Sequence, residues 1–182
     1  MKQQAALALL ELDSIPFGIL TADAMLKEAP VSVLKSGTVH NGKYLILIGG
    51  TVASVETAFA KGMRKGKEHL LDAVFLPNIH DDVYAACLGE RKSCGSEALS
   101  VIEMATVSAI LQGADAAMKG ANVELVELRL ADDLGGKSIA LYAGKVEEVE
   151  TAINLSEKAL DTTELMLSQT IIHSLDPERA KQ

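Results

Sequence analysis

One histidine, His40, stands between Gly37 and Gly42 in a short polar segment with apolar runs on both sides. An imidazole there can ligate a metal, and it gains charge as pH falls near the ordinary histidine value of ~6.5. Alone in a loop, it can equally just be solvated. A second polar loop, Ala131-Asp132-Asp133-Leu134-Gly135-Gly136, carries two adjacent carboxylates. Such a pair could serve a metal or acid catalysis, but in a Gly-containing turn these residues suit helix breaking and solvation. Gly135-Gly136 is too short for a phosphate cradle, which needs longer spacing and a following helix. Cys87 and Cys94 have no second pair and make no zinc or redox motif. No Ser/His/Asp or Cys/His order emerges, so the sequence predicts no enzyme.

The chain that must position these loops has 182 residues, 48% hydrophobic and 23% charged, enough for a core with a soluble surface. Aromatic residues are 3% with no Trp, so Ala, Val, Leu, Ile and Met must build the core. A net charge of −8 argues against nucleic acid and anionic membranes. No apolar run approaches the ~20 residues of a membrane span. The start, Met1 to Leu10, reads as a first strand and not a signal peptide, because Glu11 and Asp13 follow at once. Two cysteines suit a reducing cytoplasm.

The chain repeats itself. Glu11, Ser14, Ile19, Ala22, Asp23, Lys27, Ala29 and Val31 match Glu103, Thr106, Leu111, Ala114, Asp115, Lys119, Ala121 and Val123, each 92 residues later. Gly42-Lys43 matches Gly136-Lys137 at an offset of 94, and Ile79-His80 is aligned with Ile172-His173 at 93. A repeat this long is a duplicated domain. The expected domains are 5–92 and 96–182, with the junction in Gly89 to Ser96.

Each copy reads β-α-β-β-α-β, the order of ferredoxin-like domains, giving an α+β fold. In the first, Ala5 to Leu12 is a strand, and Ser14 caps a helix with Pro16 in its first turn. Ile15, Ile19, Ala22, Met25, Leu26 and Ala29 recur at helical spacing and give one apolar stripe. A strand, a loop over Lys35 to Lys43 and a strand follow, with His40 near the tip. Thr51 caps a second helix, whose core face is Val52, Val55, Phe59 and Met63. Leu70 to Leu76 is a strand, and a short helix covers Asp81 to Leu88. In the second copy the strands are Leu99–Met104, Val123–Leu130, Lys137–Ala143 and Glu164–His173. Its helices start after Thr106 and at Val146, where Glu147, Glu148 and Glu150 favour the positive end.

Thr21-Ala22-Asp23-Ala24-Met25-Leu26-Lys27-Glu28-Ala29-Pro30-Val31 and Gly113 to Val123 both resemble the A-D-A-x-x-K-x-A-x-V signature of bacterial microcompartment shell proteins. Gly42 to Val52, Gly136 to Val146 and Leu76-Pro77-Asn78-Ile79-His80 are similar to further segments of that family. The resemblance covers nearly the whole chain and is nearest to the trimeric type with tandem shell domains, as in propanediol-utilisation compartments. It implies a homotrimer whose six domains imitate a hexamer, tiling with other shell proteins into a sheet around encapsulated enzymes in the cytoplasm. Lys27 and Lys119 match the edge lysine between tiles, where an ammonium can donate to backbone carbonyls. His80 and His173 are further edge candidates; the arginine many members carry two residues earlier is Asn78 or Ile171 here.

The resemblance also places the loop Ser36, Gly37, Thr38, Val39, His40, Asn41 and Gly42 at the three-fold axis, as a pore for small molecules or ions. Asp132, Asp133, Leu134, Gly135 and Gly136 form the second loop. Relatives hold an iron-sulfur cluster there through a cysteine from each subunit, and His40 occupies that position here. Clusters are held mainly by thiolates, so the cluster is not carried over. Three imidazoles could instead bind a divalent ion such as zinc, or simply line a polar pore. Two alternatives are a soluble oligomeric ferredoxin-like metabolite-binding regulator and an electron-transfer shell protein.

Overall fold

A computed structural model describes residues 6–93 and 97–174; Cys94 and part of the expected junction lie outside them. The chain divides into two compact units, Met1–Ile79 with Ala131–Gly136, and His80–Leu130 with Lys137–Gln182.

The first unit contains β1 (Ala6–Leu12), α1 (Ile15–Glu28), β2 (Ser32–Val39), β3 (Lys43–Gly50), α2 (Val52–Lys65) and β4 (Leu70–Leu76). Its antiparallel sheet runs β2-β3-β1-β4, so the first strand is central, hydrogen-bonded to the third and fourth. The second unit begins with α3 (Asp81–Cys87). It continues with β5 (Ala98–Met104), α4 (Val107–Gly120), β6 (Glu124–Leu130), β7 (Ser138–Gly144), α5 (Val146–Lys158) and β8 (Met166–His173), in the sheet order β6-β7-β5-β8. This is the α+β, ferredoxin-like arrangement expected of each copy. Although α3 follows β4, it packs on β6 and α4 and so belongs to the second compact unit.

The duplication extends to the irregularities. The ladders slip between Glu11 and Leu12 and again between Glu103 and Met104, and between Val33 and Lys35 and again between Leu125 and Glu127. Both keep the 92-residue offset. The alignment of Ile79-His80 with Ile172-His173 does not hold. Leu76 lies opposite Leu7, whereas Ile172 lies opposite Leu99, so β4 and β8 correspond at an offset of 96. Asn78 and Ser174 confirm it, with φ of 59° and 53°. Local identity at two residues misled, because strand register is set by the ladder and its flanking turn.

In the first unit Ala8, Leu10, Met25, Ile46, Ile48, Val55 and Ala58 form one core between helices and sheet. Small residues set the spacing. A Cβ at Gly18 would fall 2.3 Å from the Tyr44 ring, and one at Gly62 would fall 2.6 Å from the Met25 sulfur. Those close approaches fix which side of α1 meets the sheet. Its buried side is Gly18, Thr21, Ala22 and Met25, while Ile15, Ile19 and Leu26 lie exposed beside it. Periodicity located an apolar stripe correctly but could not tell which side small residues would bring onto the sheet.

Caps follow the sequence with one exception. The Thr51 and Thr106 hydroxyls accept from the Ser54 and Ala109 amides at 3.3 and 3.1 Å. Ser14 holds the capping position without a side-chain bond. The strand before His40 is longer than expected. Because β2 continues through Val39, residues Ser36 to Val39 belong to a ladder, and only His40, Asn41 and Gly42 form the turn.

Candidate functional site

The turn between β2 and β3 is built by positive backbone angles at Asn41 (φ 68°) and Gly42 (φ 71°), a conformation asparagine and glycine tolerate best. The His40 ring stands half-exposed above it. Within the same compact unit lies the segment Ala131–Gly136. It is coiled by positive φ at Ala131, Asp133, Gly135 and Gly136. The two loops are therefore one site, which the sequence treated as two.

Three contacts join them. The Asp133 backbone N–H donates to His40 Nδ1 at 3.0 Å. Lys35 on β2 pairs with the Asp132 carboxylate. Lys43, the first residue of β3, donates to the Gly136 carbonyl at 3.4 Å and to Glu11 Oε2 at 3.4 Å. The side chains of Glu11 and Lys43 are 0% and 17% exposed, so this is a buried ion pair. The second copy repeats it at the surface as Lys137–Glu103, 2.6 Å apart with exposures of 49% and 31%. Sequence supplied all four residues as repeat matches but no sign that they pair.

Asp132 and Asp133 are thus anchored by different means, one through its carboxylate and one through its amide. Neither is arranged with a second carboxylate as a proton-sharing pair. Among the described residues no group of three or more His, Cys, Asp or Glu side chains is placed to hold a metal. In this arrangement one nitrogen of the His40 ring is already engaged. Its Nδ1 lone pair already accepts the Asp133 N–H, which leaves the ring proton on Nε2, 3.7 Å from Asp133 Oδ1. Ligation through Nε2 would push that proton to Nδ1 and set two donors face to face.

The edge candidates occupy distinct settings. Lys27 and Lys119 each pair with the aspartate one helical turn earlier, Asp23 at 2.6 Å and Asp115 at 2.5 Å. Lys27 is 75% exposed and Lys119 43%. His80 is a capping residue: its Nδ1 accepts from the Asp82 amide at 3.2 Å, and its own amide donates to Asp115 at 2.8 Å. His173 ends β8, exposed, opposite Ala98. The two histidines are therefore not equivalent. Burial pushes the Cys87 thiol up to about 12.

Two α+β domains of one topology, joined in tandem and differing in their loops and edges, define a duplicated structural module. The chain belongs to the BMC domain family, whose model matches residues 6–79 and 98–175. It is 36% identical over 167 residues to the bacterial microcompartment shell protein PduT of Citrobacter freundii, covering 92% of this chain and 91% of that protein. It is 25% identical over 165 residues to the carboxysome assembly protein CcmO of Synechocystis, covering 83% of this chain and 55% of that protein. The crystal structure of a microcompartment protein from Desulfitobacterium hafniense superposes with a TM-score of 0.87 at 32% identity, over 98% of this chain and 99% of that one. A fused permuted hexameric shell protein of the RMM microcompartment, at 21% identity and a TM-score of 0.62, shares the fold over 85% of this chain and 83% of that one.

Proposed function

We propose that this chain is a structural tile of a bacterial microcompartment shell, three copies closing a ring of six similar domains that joins other shell proteins edge to edge. The observation that carries this reading is the tandem pair of BMC domains with matching sheets and slips, each presenting a lysine at the same place on its first helix. In a tile these lysines lie at the rim, donating to carbonyls of the next tile after releasing Asp23 or Asp115. The joined His40 and Asp133 loops line the central opening and set its polarity for small molecules or ions. His40 acts there as a clasp between loops. The protein works as a structural element and not as an enzyme. No helix among the described residues is long and apolar enough to cross a membrane.

The test is Lys27→Ala, examined by electron microscopy of assembled sheets and by mass in solution. Sheets are expected to weaken while the ring mass persists. A variant that tiles as well as the parent would remove Lys27 from the rim. Discrete particles that never tile, and a thermal shift with a metabolite, would favour a soluble regulator.

A further inference from the structure

The two rim lysines are held with unequal strength. Lys27 on α1 pairs with Asp23 at 2.6 Å, with side-chain exposures of 75% and 53%. Among the described residues that carboxylate accepts from Lys27 alone. An ion pair so open to water is weak and exchanges readily. Lys119 on α4 pairs with Asp115 at 2.5 Å, but the Asp115 side chain is only 10% exposed. Its other oxygen, Oδ1, accepts from the His80 amide at 2.8 Å, so the carboxylate is fixed on both sides. Drawing Lys119 away would break this ion pair where water is largely excluded and the attraction lost is strong. Lys27 is the lysine more readily given to a neighbour.

The second unit opens a recess of about 460 Å³ at one end of its sheet, lined in part by Asn122 and Val123 just past the end of α4. Glu97 precedes β5, Glu124 starts β6, and Lys145 follows β7 and holds the capping position of α5. The ladders set Ala98 opposite Gly144 and Glu124 opposite Ala143, which brings the three onto neighbouring strands. All three are exposed, and among the described residues none of their side chains has a hydrogen-bond or ion-pair partner. The first copy carries no such set. The aligned residues are Ala5, Ser32 and Thr51, and the Thr51 hydroxyl is already engaged in capping α2. The edges of the two copies are therefore chemically different: one offers an easily released cation, the other two unpaired carboxylates and an ammonium.

We infer that tiles meet first copy to second: Lys27 of one chain leaves Asp23 and enters the recess of a second copy in the next tile. There its ammonium donates to Glu124 and Glu97, beside the backbone carbonyls of that edge, while the released Asp23 faces Lys145. One ion pair opens and two form, giving partners to charges that lack them in the separate chain. Complementarity of this kind sets which surfaces meet. The two surfaces differ, so the contact is heterologous and extends from tile to tile instead of closing on itself. The inference rests on the tile reading and adds which edge meets which.

The experiment uses the full chain, with sheets collected by pelleting and imaged by electron microscopy, ring mass measured by light scattering and folding by far-UV circular dichroism. Lys27→Glu and Glu124→Lys, each alone, set like charges together and are expected to lose the sheets while keeping the parent's ring mass and spectrum. The double variant, Lys27→Glu with Glu124→Lys, exchanges the charges across the same contact and is expected to regain them. Lys65→Glu, an equal change of charge at an exposed site on α2, is expected to tile as the parent does. If Glu124→Lys loses its spectrum, Glu97→Lys, which lies outside the strands, takes its place alone and in the double variant. A single variant that tiles like the parent, a double variant that stays dispersed, or a Lys65→Glu protein that also disperses would overturn the pairing of edges and leave the tile reading standing. A parent that forms no sheets would overturn both.

Discussion

The duplication supplies an internal control for the buried ion pair. Lys43→Met removes the cation beside Glu11, whose side chain is 0% exposed, while Lys137→Met removes the same partner from Glu103, 31% exposed. Breaking a buried pair by deleting one partner costs about 3–5 kcal/mol, because the attraction of the lost charge is strong where water is excluded. Lys43 also gives up its bond to the Gly136 carbonyl, but at 3.4 Å both of its contacts are long, so the low end applies, ~3 kcal/mol. The exposed pair is worth about 0–1 kcal/mol. In a chain of this length each kcal/mol moves the melting temperature by ~2–4 °C, so Lys43→Met should lose ~6–12 °C and Lys137→Met at most ~4 °C. Urea unfolding at matched protein concentration provides the free energies, since assembly couples stability to concentration. Adding Glu11→Gln to Lys43→Met should recover part of the loss, as the buried carboxylate that lost its lysine is neutralised. Equal losses for the two lysine variants, or a double variant no better than Lys43→Met, would refute the argument that burial makes the first pair matter.

Three further outcomes follow from other contacts. Gly18→Ala drives a methyl into the Tyr44 ring and should cost ~1–3 kcal/mol by thermal unfolding, whereas Gly37→Ala, with nothing within 4 Å, should be nearly neutral. His40→Ala should lower stability by about 0.5–1.5 kcal/mol at most through loss of the loop clasp. Nitrogen-detected NMR of the parent should show the neutral ring protonated at Nε2; a ring protonated at Nδ1, or shifts on adding zinc, would contradict the Asp133 bond. The Cys87 thiol, moved from an ordinary 9.0 to about 12, should hold roughly a thousandfold less thiolate at pH 8. Alkylation followed by peptide mass spectrometry should find it nearly unmodified there, with reaction accelerating as pH rises.

Much of this was legible in the chain. The apolar runs, the threonine caps and the 92-residue repeat carry period and punctuation that are local properties of sequence, so the element order and the α+β domains could be read from them. The family signature around Lys27 and Lys119 was equally local. What sequence could not decide depends on partners distant along the chain. The stripe of Ile15, Ile19 and Leu26 was visible as a stripe, but its exposure follows from Gly18 and Gly62 admitting Tyr44 and Met25. The pairing of Ile79-His80 with Ile172-His173 failed because two shared residues do not fix a ladder register.

His40 shows the division most directly. Its residue type and its place after a strand were written in the sequence, and they left solvation, titration and metal binding open. Tertiary structure brought Asp133 from the second copy's loop to its Nδ1, and one backbone amide decided which lone pair remains. A residue's type limits what its atoms can do, but the fold supplies the neighbours that choose among those possibilities.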